Sequence, residues 1–178
     1  MNGSNTTGAP PTGAEAGAQS SFGTGFVDDA AGLRRILLAA RTIAVVGLSA
    51  NWHRPSFFAA KYMQDHGYRI VPVTPTYERI LEARCVPDLA AIGEPVDIVD
   101  CFRKSAEMPA LARQAVAIGA RVLWMQLGVI SEEALRIAAD AGLAVVMNRC
   151  VKIEHARLMG GLGWAGVNTG IISAKRRR

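Results

Sequence analysis

Five short apolar runs, each followed by a stretch of different rhythm, constrain this chain more than any other feature. The runs are 42–46 (TIAVV), 69–73 (RIVPV), 96–102 (VDIVDCF), 121–125 (RVLWM) and 143–147 (LAVVM). Continuous apolar runs of this length suit strands buried on both faces of a parallel sheet. Helical spacing occupies the intervals at 55–66, 105–118 and from Ser131 to a stop at Gly142, with shorter helices expected over 87–92 and 152–159. A helix over 28–40 precedes the first strand and carries Leu33, Ile36 and Leu37 on one face. Strand and helix alternating through five units predict an α/β fold, an open and mainly parallel five-stranded sheet with helices on both faces.

The punctuation agrees with this alternation. Pro72 has no N–H for a ladder, so that position is expected near a strand end or on an unpaired side. Ser105 is a candidate helix cap, with Pro109 in the first turn where a missing donor costs little. Ser131, Glu132 and Glu133 place a cap and two acids at the positive end of the next helix.

Residues 1–26 differ from the rest. They are rich in glycine and carry a single charged side chain, Glu15, so the segment is expected to be disordered. It lacks the basic start and apolar middle of a signal peptide, and no apolar run reaches membrane-spanning length. The expected location is the cytoplasm. A domain over 27–160 and an extension over 161–178 complete the division. Of the formal net charge of +5, four units come from Lys175, Arg176, Arg177 and Arg178. A near-neutral body with a basic tail argues against nucleic acid as the main partner. Cys85, Cys101 and Cys150 form no CxxC pair and have no disulfide or zinc pattern.

In an open parallel sheet, ligands bind outside the carboxyl ends of the strands, where the strand order reverses. The first strand-to-helix loop is the most informative. It runs Gly47-Leu-Ser-Ala-Asn-Trp-His-Arg-Pro-Ser56. Gly47 lacks a Cβ and admits close approach. Ser49 and Ser56 bring hydroxyls, and Arg54 brings a fork of donors suited to phosphate. Pro55 fits the first turn of a helix whose amino end favours an anion. The loop is neither GxGxxG nor a P-loop, and no acid ends the second strand to hold ribose hydroxyls, which disfavours NAD. Phe102 and Arg103 end the third strand, where ring and cation suit a base and a phosphate. Gln126 and Gly128 follow the fourth strand. Trp124 reads as core.

No complete catalytic set is present. Cys150 and His155 allow a nucleophile and base only if they meet in space, and Cys150 could bond a ligand thiol only as an exposed thiolate. With Glu154 they lack a recognised metal spacing. The chain is therefore read as a binding module and not an enzyme. An NAD(H)-linked redox protein and a regulator binding nucleic acid through the tail are the alternatives. A protein partner or homo-oligomer remains open.

The segments VVGLS with RPS, GYRIVPVTP, DIVDCFR, VLWMQLGV and AGLAVVMNRCVKIEH, in this order, resemble the CoA-binding domain family over about residues 30–160. That family includes stand-alone bacterial proteins and the amino-terminal domain of the succinyl-CoA synthetase α subunit. The resemblance implies a Rossmann-like fold with coenzyme A or acyl-CoA as ligand. It implies that Gly47, Ser49, Arg54, Pro55 and Ser56 hold the phosphates. Val73, Thr74 and Pro75 would flank the adenosine end, and Phe102, Arg103, Gln126 and Gly128 would line the rest. Thr74 matches the synthetase form, Val-Thr-Pro, where many stand-alone relatives carry asparagine. The synthetase also needs a second domain with a phosphorylated histidine, so the resemblance implies no ligase activity here.

Overall fold

A computed structural model describes residues 21–159; the expected tail function and the glycine-rich stretch 160–174 lie outside the described residues. Strand β1 (Gly25–Phe26) leads into helix α1 (Ala30–Ala39), then β2 (Thr42–Val46), α2 (Pro55–Asp65) and β3 (Arg69–Val73). A two-stranded hairpin follows, β4 (Arg79–Ile80) and β5 (Ala83–Arg84), and then a single 3-10 turn, Leu89–Ala91. The chain continues through β6 (Ile98–Cys101), α3 (Met108–Ala117), β7 (Val122–Met125), α4 (Glu132–Asp140), β8 (Ala144–Val146) and α5 (Val151–Met159).

The main sheet has the order β1-β8-β7-β6-β2-β3, and every pair in it is parallel. All five expected strands are present, and β1 adds a sixth at one edge. That strand lies inside the stretch read as disordered, so the boundary at residue 26 is corrected. The reason is local. Gly25 and Val27 donate backbone N–H groups to the carbonyls of Leu143 and Val145, both at 2.9 Å. Phe22 is buried in the core and anchors the segment. One apolar side chain and a paired backbone offset the ordering entropy that composition alone left unbalanced.

The helices cover both faces. On one, α1, α2 and α5 enclose Ile43, Val45, Ile98, Trp124 and Val146. On the other, α3 and α4 enclose Ala44, Val46, Val99, Leu123 and Val145. Neighbouring residues of each strand thus enter opposite cores, which is why the runs are apolar throughout. Asp29 caps α1 by accepting from Gly32 N–H at 2.8 Å, and Leu33, Ile36 and Leu37 are its buried stripe. Ser131 caps α4, accepting from Ala134 N–H. Pro72 sits on edge strand β3, and its carbonyl accepts from Val86 on the outer side.

Ser105 departs from expectation. It opens a 3-10 turn, Ser105–Glu107, ahead of α3, and its hydroxyl accepts from Ile130 N–H at 3.0 Å. The side chain ties two strand-exit loops together and leaves the helix uncapped by serine. The short helix expected over 87–92 is the 3-10 turn, capped by Asp88. Among the described residues no helix is long and apolar enough to cross a membrane.

Candidate functional site

From β2 the chain moves to β3 on one side, and the later strands lie on the other side beginning with β6. The order therefore reverses at β2, and a crevice must open above its carboxyl end. A cleft of about 630 Å³ occupies that place. The loop after β2 supplies Gly47, Leu48, Ser49 and Arg54, and the start of α2 supplies Pro55 and Ser56. Thr74, Thr76 and Tyr77 come from beyond β3, Phe102 and Arg103 from beyond β6, and Gln126, Leu127 and Val129 from beyond β7. Cys150 and Ile153 close the last side.

The loop after β2 is built by its own short polar side chains. Ser49 N–H donates to Ser56 Oγ at 3.2 Å, Asn51 N–H donates to Ser49 Oγ at 3.2 Å, and His53 N–H donates to Asn51 Oδ1 at 2.9 Å. Arg54 is the extended residue before α2 and Pro55 is its first helical residue. Arg54 makes no ion pair among the described residues. An uncommitted guanidinium beside a helix amino end forms a locally positive rim to the cleft.

Gly47 has a structural reason of its own. Its φ is +81°, and a Cβ there would lie 2.6 Å from the carbonyl oxygen of Phe102. The absent side chain makes room for the exit of β6, in addition to any ligand. Arg103 is held by Glu107, to which it donates through Nε at 2.8 Å and Nη2 at 2.6 Å. The Arg103 guanidinium keeps the Glu107 carboxyl below its ordinary pKa. Gly128 does not line the cleft. Its φ of +85° makes a turn, which Asn148 Oδ1 holds by accepting its N–H at 2.7 Å. Val73 and Pro75 line a smaller hollow of about 270 Å³ that shares Gly47, Thr74, Thr76 and Arg103 with the cleft.

Leu48, Thr76, Tyr77, Leu127 and Val129 lie in segments that follow strands, where the crevice is expected, but nothing in their side chains singles them out; with Ile153 they reach the cleft because five strand exits converge. Asp100 does carry a signal, as an acid inside an apolar strand. It is 1% exposed, and Gln126 Nε2 donates to its Oδ1 at 2.6 Å. Burial pushes its pKa up to about 7, partly offset by that hydrogen bond. The unfolded chain releases this proton near 3.8, so between about pH 4 and 7 the folded state holds more protons and stability falls as pH rises. Asp100→Asn should remove that slope. Denaturant melts at several pH values should show the variant gaining on the wild type from pH 4 to 7, whereas a constant offset would contradict this assignment.

Cys150 faces the cleft, but burial pushes its thiol above the ordinary value, so it is not a ready thiolate. The His155 ring lies elsewhere, among Tyr62, His66 and Tyr68, with Nδ1 3.2 Å from the Tyr62 hydroxyl. Glu154 is buried between Arg149 and Arg157, which donate to its two oxygens. Glu154 and His155 are thus held by separate partners, and neither lines the cleft that Cys150 faces.

A cleft at the reversal of an open parallel sheet, bounded by a helix amino end, defines a Rossmann-like α/β domain. Residues 41–156 match the family described as the CoA binding domain, and the chain belongs to that family. It is 40% identical over 124 residues to an uncharacterised protein of Bacillus subtilis, YneT, covering 70% of this chain and 92% of that one. A hypothetical protein from Pyrococcus horikoshii of known structure is 37% identical, with a TM-score of 0.72 over 74% of this chain and 93% of its own. The dinucleotide-forming acetyl-coenzyme A synthetase 1 of Ca. Korarchaeum cryptofilum, solved with phosphate and ADP, is similar in fold alone. It is 19% identical, with a TM-score of 0.54 over 60% of this chain and 25% of that one.

Proposed function

We propose that the cleft binds coenzyme A or an acyl-CoA, with its diphosphate against the 47–56 loop and the amino end of α2. The observation that carries this reading is the unpaired Arg54 guanidinium at the rim of the cleft, beside a helix start whose first N–H groups favour an anion. Ser49 and Ser56 add hydroxyls to the same wall. Val73, Thr74 and Pro75 would take the adenosine end, and the neutral side formed by Leu127, Val129 and Ile153 would take the pantetheine arm. Binding without bond-making chemistry accords with a neutral Cys150 and a His155 engaged by Tyr62. The absence of an acid directly after β3, where Thr74 stands, weighs against NAD.

Titration calorimetry with CoA tests the reading, with NADH and ATP as competitors. Submillimolar CoA affinity unaffected by NADH is the expected result, and displacement of CoA by NADH would favour the redox alternative. Arg54→Ala should weaken CoA binding by about 1–2 kcal/mol, the scale of a lost charge-assisted hydrogen bond. Unchanged affinity would remove Arg54 from the site.

A further inference from the structure

Beneath the cleft, Asp100 and Gln126 form a buried hydrogen-bonded pair among strands whose other residues are almost all apolar. Asp100 stands on β6 between Val45 of β2 and Trp124 of β7, on the face covered by α1, α2 and α5. No ion pair reaches it among the described residues. The titratable groups acting on it are Cys101, its neighbour on the strand, and Cys150, from the loop before α5. Both thiols are held neutral by burial, and no charged group of α1, α2 or α5 pairs with it among the described residues. Its hydrogen-bond partner is the amide nitrogen of Gln126, and Gln126 lines the cleft.

An ionised carboxylate only accepts hydrogen bonds, whereas an amide both donates and accepts. Asp100 therefore selects the nitrogen of Gln126, and the amide oxygen Oε1 is left for a ligand. Resting on the CoA reading above, we propose that Asp100 is a positioning residue that fixes the Gln126 carboxamide, so that the cleft presents a hydrogen-bond acceptor to a neutral N–H or S–H donor of the bound arm. The arm of CoA carries two amide N–H groups and a thiol, so it offers donors of this class. Protonation of Asp100 turns it into a donor, which satisfies Oε1 equally well and frees the amide to reverse. The acceptor is then lost, and with it the preference for a donor on the ligand.

The test compares the full-length wild type with Asp100→Asn, titrating CoA calorimetrically at about pH 5.5 and about pH 8.5. The phosphates of CoA titrate alike for both proteins, so the ratio of affinities isolates Asp100. The wild type should bind about fivefold more tightly than the variant at the higher pH, the size of one net hydrogen bond. At the lower pH the ratio should approach one. A ratio independent of pH overturns the proposal while leaving CoA binding intact. If neither protein binds CoA at either pH, the CoA reading itself fails and the proposal falls with it. The side-chain amide resonance of Gln126, followed in ligand-free wild type, gives an independent readout. It should shift through neutral pH, and a resonance that does not move would overturn the positioning role even if the variant fails to fold.

Discussion

Gly47→Val should destabilise the fold by roughly 3–5 kcal/mol, combining strain at positive φ with overpacking against backbone. The backbone angle of +81° disfavours any β-branched residue, and the contact of 2.6 Å is with a carbonyl oxygen that belongs to the exit of β6. Neither partner yields cheaply, because the loop after β2 and the strand end of β6 are both tied into the sheet. Gly67 provides the control. It has a similar φ of +88°, but nothing lies within 4 Å of a Cβ built there. Gly67→Ala should therefore cost only about 1 kcal/mol, the conformational part alone. Denaturant midpoints at unchanged slope measure both. Equal effects of Gly47→Ala and Gly67→Ala would mean that the close approach to Phe102 is not a constraint.

Trp124→Ala should cost about 3–5 kcal/mol, the range for removing a large aromatic from a closed core. Trp124 is fully buried, and its indole Nε1 donates to the carbonyl of Arg149 at 2.7 Å. That bond ties β7 to the loop leading into α5, and hence to Cys150 and Ile153 on the cleft wall. Trp124→Phe keeps most of the volume and loses the donor, so it should cost about 1–2 kcal/mol. Chemical denaturation with near-ultraviolet circular dichroism reports both stability and packing. A loss below about 1 kcal/mol for Trp124→Ala would contradict the closed core.

Those two residues show how unevenly the sequence speaks. Trp124 reads as core because it sits in an apolar run that no polar residue interrupts before Gln126. Gly47 reads as a place for close approach of a ligand, and only the fold reveals the carbonyl of Phe102 in the same space. The sheet is legible because two buried faces demand unbroken apolar runs. Strand β1 is not, since two residues carry no period, and its pairing partner is distant in sequence. The hairpin of β4 and β5 is equally silent. Its turn places Leu81 and Glu82 at φ of 51° and 64°, without the glycine or asparagine that marks such turns.

The site divides in the same way. The 47–56 loop is readable because its residues are contiguous and of suitable chemistry. Gly128 is ambiguous for the opposite reason, since a turn glycine and a ligand-approach glycine look alike in one dimension, and the structure shows the turn. Asp100 is overlooked as a neighbour of the cleft, although an acid in a strand buried on both faces is itself a signal of a polar partner. The partner, Gln126, lies 26 residues away in sequence and becomes adjacent only through the register of β6 and β7.

The central claim is that the first-strand loop and the start of α2 receive the diphosphate of coenzyme A. A crystal structure of the protein with CoA tests it most directly. Density for the diphosphate within hydrogen-bond reach of Arg54 and the first turn of α2 is the predicted result. A well-occupied ligand elsewhere, with that loop unchanged and empty, would contradict it.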